Sequence, residues 1–198
     1  MRSALHVVMG QEPCDSSNLS RRCLGYAGGM SFLDVMHAYF RGERIEALVF
    51  IVPLGVLSLG AGAFFALALR DGFARGAGVP CLVFGLALAG VGAVVGLRTP
   101  SQVADLEARY QADAPAAVEA ELGRMRKVNA NWPVYLAAYV VFVVAGMAMR
   151  FALRADWAQG AGVALVFFAG VGLLVDGFAE RRARPYTAAL EAERAPPR

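Results

Sequence analysis

Leu69-Arg70-Asp71-Gly72-Phe73-Ala74-Arg75-Gly76-Ala77-Gly78-Val79 returns 84 residues later as Leu153-Arg154-Ala155-Asp156-Trp157-Ala158-Gln159-Gly160-Ala161-Gly162-Val163. The Gly-Ala-Gly-Val core is unchanged. Each copy lies between two long apolar stretches, so each reads as the tip of a helical hairpin. Residues 47–69 and 77–97 flank the first tip; 132–149 and 157–178 flank the second.

No Asp, Glu, Lys or Arg occurs in 47–69, 77–97 or 132–149. A hydrocarbon core of about 30 Å takes about 20 helical residues to cross. The first two stretches meet that length. The third is short and borrows Asn131 or Arg150 at its ends, and the fourth carries Asp176 near its exit. Barrel strands would alternate polar and apolar residues, and these runs do not. A soluble domain carries about 25% charged residues. This chain has 18%, with 58% hydrophobic residues and a mean hydropathy of +0.50. The expected fold is therefore an all-α membrane protein with four transmembrane helices, arranged as two tandem helical hairpins.

Sliding the chain by 84 aligns 61–110 with 145–194 without a gap, giving 17 identities in 50 positions, where an Ala/Gly-rich chain gives roughly 5 by chance. Shared membrane composition does not demand the charged and extramembrane pairs Arg70/Arg154, Arg98/Arg182 and Glu107/Glu191. Two spans per repeat send both halves into the membrane in the same orientation, which implies a pseudo-two-fold axis along its normal. The reading divides the chain into a first repeat at 30–111, a second at 112–198 and a tail at 1–29. Thr99-Pro100 and Arg184-Pro185 are expected to break each repeat's second span, because proline lacks an N–H and restrains the residue before it. Pro53 is expected to kink the first span.

The charge distribution sets the topology. Of the 19 Lys and Arg, only Arg70, Arg75, Arg150 and Arg154 fall on the hairpin tips. The other 15 lie in the termini and the central connector, which by the positive-inside rule face the cytoplasm. The net charge of +3 therefore reads as topology and lipid contact, with no role for nucleic acid. Arginine outnumbers lysine 18 to one, which suggests a GC-rich bacterium and a multi-pass protein of its inner (plasma) membrane.

Residues 1–29 carry no periodic apolar face and no signal-peptide pattern. Two readings stand open: a poorly ordered tail, or an over-extended start with Met30 as initiator. From Ser31, the residues Phe32, Val35, Met36, Tyr39 and Phe40 share one helical face, giving an amphipathic helix that lies on the membrane surface. A second amphipathic helix is expected at 115–128, with its apolar side pressed onto lipid or onto the span ends. Pro115 suits its start, Arg124, Arg126 and Lys127 suit its end, and Val118, Leu122 and Met125 form its apolar stripe.

Small residues let helices approach in lipid. Gly85, Gly92, Gly96, Gly170 and Gly172 are the expected packing positions of a four-helix bundle. Arg124, Arg126 and Lys127 before the third span, with Arg181, Arg182 and Arg184 after the fourth, are the expected contacts for anionic lipid headgroups or a membrane partner. Ser58, Tyr135 and Tyr139 are the main polar groups within the spans. Cys14, Cys23 and Cys81 show no Cys-x-x-Cys spacing, and no haem, metal or nucleotide motif occurs. No cofactor, metal or catalytic residue is therefore expected. The leading expectation is a non-enzymatic protein that binds a membrane partner, as accessory subunit or immunity-type protector. One alternative is a small transporter or channel built from two repeats, working as a homo-oligomer. The other is an interfacial lipid-processing enzyme using His37, Glu43 or Glu46.

Overall fold

The computed structural model describes residues 31–69 and 71–195. The expected tail at 1–29 and the start at Met30 lie outside them. Among the described residues the chain is helical without strands, and four helices are long and apolar enough to cross a membrane.

Helix α1 (Phe32–Ile45) opens on a capping box. The Asp34 amide donates to Ser31 Oγ at 3.3 Å and the Ser31 amide to Asp34 Oδ2 at 2.9 Å, which satisfies two donors that a helix start leaves open. The chain then passes through one π-helical turn, Glu46–Ile51, into α2 (Val52–Leu67). Pro53 is the second residue of α2. The widened turn directly before it, with the Val52 amide donating to the Ala47 carbonyl, is where the helix takes up the proline.

Helix α3 (Gly72–Ala112) starts at Asp71, whose carboxylate accepts the Ala74 amide at 2.8 Å. Asp113 alone separates it from α4 (Ala114–Ala130), and Asn131 alone separates α4 from α5 (Trp132–Ala152). Helix α6 (Asp156–Arg194) completes the chain.

The breaks expected at Pro100 and Pro185 are absent. Helix α3 continues through Pro80 and Pro100, and α6 through Pro185. Hydroxyls beside two of these prolines bond back to helix carbonyls. Thr99 Oγ1 donates to Val95 O at 2.6 Å, Ser101 Oγ to Arg98 O at 2.8 Å and Thr187 Oγ1 to Ala183 O at 2.8 Å. Packing on both sides of each proline outweighs the one lost hydrogen bond. At 41 and 39 residues, α3 and α6 are each about 60 Å long. Each is twice what a hydrocarbon core needs, so its C-terminal half projects beyond the apolar zone.

In the apolar zone the helices pack in the order α2, α3, α6, α5, with α3 against α6 at the centre. Glycine makes the closest approaches possible. A Cβ built at Gly76 would overlap the Trp157 carbonyl, and one at Gly160 the Phe73 carbonyl. Phe84 and Phe168 stack between the same two helices at 4.9 Å. Gly62 meets Gly78 across α2 and α3, and Gly146 meets Gly162 across α5 and α6. Gly85, Gly92 and Gly96 of α3 face Leu59, Val52 and Leu48 respectively, and Gly172 lies under the Tyr139 ring. Gly170 differs from expectation: a Cβ there meets nothing within 4 Å, so it sits on an open face. Outward residues such as Leu57, Leu86, Leu97 and Val144 are more than 60% exposed. An apolar outer surface of this kind suits lipid as solvent.

The apolar stripe of α1, expected on a membrane surface, faces protein instead, and that of α4 takes the second of its two expected places, the extended span ends. Phe32, Met36, Tyr39 and Phe40 of α1 and Val118, Leu122 and Met125 of α4 are buried in one cluster with Leu106 of α3 and Tyr186, Ala189 and Leu190 of α6. The projecting halves of α3 and α6 supply a protein surface for both stripes. The result is a helical head with its own core, holding α1, the connector α4 and the C-terminal half of α6 at one end of the molecule.

Candidate functional site

The head is organised around Tyr186, which is fully buried. Its ring stacks on Tyr39 at 4.5 Å and 15°, and Phe40 meets it edge-on at 6.0 Å. Its hydroxyl donates to Glu121 Oε1 at 3.0 Å. Glu121 is 8% exposed and takes a fork from Arg124, with Nε to Oε2 at 2.9 Å and Nη2 to Oε1 at 2.6 Å. The Arg124 guanidinium also lies 5.9 Å from the Phe40 ring centre. A buried carboxylate is tolerated when its lone pairs are filled in this way.

The ionisations follow the same geometry. Burial, then the Glu121 charge and hydrogen bond, push the Tyr186 phenol well above its usual value. Burial would lower Arg124, but the Glu121 bond and charge reverse that and hold it above the ordinary arginine range. Burial raises Tyr39, and the Glu43 carboxylate adds to it. Burial also raises Glu43, against the opposing charges of Arg124, Arg98 and Arg182.

Four further acids of the head are paired across helices. Arg182 of α6 meets Glu46 of the π turn. Arg194 meets Glu119 at 2.7 Å, and the Tyr110 hydroxyl donates to Glu193 at 2.7 Å. His37 meets Glu107 of α3 at 2.6 Å. Of the three residues named for an enzyme role, His37 is thus engaged by Glu107 and Glu46 by Arg182, while Glu43 faces the charges of Arg124, Arg98 and Arg182. Among the described residues no group of three His, Cys, Asp or Glu side chains is placed to hold a metal ion.

The six basic residues expected as one contact surface divide. Arg124 and Arg182 turn inward to carboxylates, and Arg184 pairs with Glu180 one turn earlier at 2.7 Å. Arg126, Lys127 and Arg181 are exposed. A small cavity of about 110 Å³ opens beside Glu121 and Arg124, with Gln102 and Asp105 on its wall. Gln102 Oε1 is buried there without a partner.

One polar pair lies within the apolar zone. Tyr139 of α5 donates to Asp176 Oδ2 of α6 at 2.6 Å. Asp176 is six residues before Arg182, about 9 Å along the helix. Sequence reasoning placed this acid near a span exit and did not join it to Tyr139, and it passed over Tyr186. The spacing of Ala183, Tyr186 and Leu190 was the available signal, because it continues a helical stripe past Pro185.

Comparison with protein-family models, curated proteins and solved structures finds no match to this chain in any of the three.

Proposed function

We propose that this is a non-enzymatic, multi-pass protein of the bacterial inner membrane that binds a membrane partner through its cytoplasmic head. The observation that carries the reading is the division of charge in the head. Glu46, Glu107, Glu119, Glu121 and Glu193 are engaged in pairs that hold helices together, while Arg126, Lys127 and Arg181 remain exposed on α4 and α6. A surface of this kind suits anionic headgroups, at about 1 kcal/mol per basic residue, or an acidic partner face beside them.

The proposal includes a duplicated architecture of two hairpins entering the membrane in the same orientation. Equivalent contacts at the 84-residue offset support it. Gly76 meets Trp157 as Gly160 meets Phe73, Gly62 meets Gly78 as Gly146 meets Gly162, and Phe84 stacks on its own counterpart Phe168. The shared core of α1, α4 and both projecting helix ends supports a common side for all three basic segments.

The test is charge reversal of Arg126, Lys127 and Arg181 together, with Arg124 left in place because it belongs to the core. The expected outcome is loss of a specific co-purifying membrane protein from native membranes, while insertion and elution profile are kept. Retained co-purification overturns the reading.

A transporter is the second reading, favoured by the Tyr139–Asp176 pair beneath the interface, since intramembrane carboxylates often line ion paths. Cation flux into proteoliposomes that Asp176→Asn abolishes would support it; no flux with folded protein would remove it.

A further inference from the structure

The outer face of α3 carries a shallow trough of about 520 Å³. It runs from Leu86 to Arg98 along one face of this helix, lined between them by Ala87, Gly90, Val91, Val94 and Val95. It is empty of protein at its centre, since a Cβ built on Gly90 meets nothing within 4 Å. The twelve helical steps from Leu86 to Arg98 make the trough about 18 Å long, close to one leaflet's share of a hydrocarbon core of about 30 Å. Its apolar end points into the apolar zone, and its other end is closed by an arginine at the level of the head.

Arg98 is exposed. Among the described residues it makes no ion pair within 4.0 Å, and its charge reaches Glu43 only through space. Helix α6 offers the contrast. At the offset of 84, Leu174 and Phe178 stand where α3 has Gly90 and Val94. Both protrude, at 65% and 55% exposure, and Arg182, the counterpart of Arg98, is bound to Glu46. The two faces thus differ at this level: α3 has the small Gly90 and Val94 with an available arginine, and α6 has the larger Leu174 and Phe178 with an engaged one.

We infer that the α3 trough binds one anionic phospholipid, with an acyl chain along Ala87, Gly90 and Val94 and the phosphodiester against Arg98. Charge complementarity selects this occupant. A zwitterionic lipid would fill the trough equally well but would gain less from an unpaired guanidinium. The inference rests on the membrane-spanning reading and not on a protein partner. Extraction from the membrane fraction by detergent but not by salt, checked first, decides the spanning reading separately.

The test is native mass spectrometry of the detergent-purified full chain, titrated with palmitoyl-oleoyl phosphatidylglycerol or the matching phosphatidylcholine. The wild type should hold one phosphatidylglycerol in preference to phosphatidylcholine by about fivefold, the equivalent of one basic residue near an anionic headgroup. Arg98→Gln should bring that ratio close to one. Gly90→Leu and Val94→Phe, which copy the residues of α6, should each lose the bound lipid. Gly170→Leu, on the open face of α6, should leave it in place. Circular dichroism and a single elution peak establish that each variant folds, and having two filling variants keeps the test alive if one does not. An unchanged lipid ratio in folded Arg98→Gln overturns the inference. So does a filling variant that instead dissociates a dimer or releases a co-purified protein, because the trough would then belong to that contact.

Discussion

Gly76→Ala and Gly160→Ala test the crossing of α3 and α6. A methyl group at Gly76 would lie 2.5 Å from the Trp157 carbonyl carbon and 2.7 Å from its Cα. At Gly160 it would lie 2.9 Å from the Phe73 carbonyl carbon and 3.0 Å from the Ala77 nitrogen. These are backbone atoms, so no side chain can swing aside, and ordinary contact begins at 3.4 Å. The helices must separate by roughly 1 Å, a gap that forfeits a quarter to a half of the dispersion energy of the pairs it opens. Overpacking of this kind costs about 1–3 kcal/mol, and alanine returns up to about 1 kcal/mol through helix propensity. Each variant should therefore lose about 1–2 kcal/mol. One separation relieves both clashes, so the double variant should lose less than the sum, by about 0.5 kcal/mol or more. Gly90→Ala and Gly170→Ala, which meet open space, should be neutral or gain up to about 1 kcal/mol. Unfolding in mixed detergent–SDS micelles, followed by tryptophan fluorescence, reads these differences. Of the chain's two tryptophans, Trp157 sits at the crossing. Equal stability of Gly76→Ala and Gly90→Ala, or strict additivity of the double variant, would refute the close crossing.

Tyr186→Phe removes the hydroxyl from Glu121 and should cost about 1.5–3 kcal/mol, the usual range for a hydrogen bond to a charged group, in the same unfolding assay. The wild-type Tyr186 phenol lies above its usual value of 10.0. Its contribution is therefore whole below that pH and is lost as the pH rises through the folded-state value; absorbance at 295 nm should show Tyr186 and Tyr39 ionising only as the head opens. Glu43 is also raised, above the ordinary 4.5, so its ionised form opposes folding at neutral pH and Glu43→Gln should raise the unfolding midpoint at pH 7 but not below pH 4. Tyr139→Phe should cost about 0.6 kcal/mol and at most about 1.7 kcal/mol, as for other interhelical hydrogen bonds in lipid.

The apolar zone was legible because its signal is local. Uncharged runs of the right length occur in few other contexts, and the helix expected at 115–128 is found as Ala114–Ala130. The head was not legible, because its logic is long-range. Arg124 and Arg182 look like any other interfacial cations until Glu121 and Glu46 are seen beside them. The apolar stripes of α1 and α4 were plain, but what covers them depends on how far α3 and α6 project. That in turn hinged on Pro100 and Pro185, where a sound local rule yields to packing on both sides. Gly170 failed for a related reason: small-residue content marks helices that approach closely but not which face does so.

The unbroken courses of α3 and α6 have a mechanical consequence. Each rod crosses the other at a glycine near the far tip and reaches the core of the head 30 residues later, Gly76 to Leu106 on one and Gly160 to Leu190 on the other. That is a lever arm of about 45 Å. Scissoring at the crossing by about 5° would sweep the far ends by about 4 Å over that length, enough to shear the aromatic stack on Tyr186. Events at the hairpin tips would thus be felt at the head without any signal passing through loops.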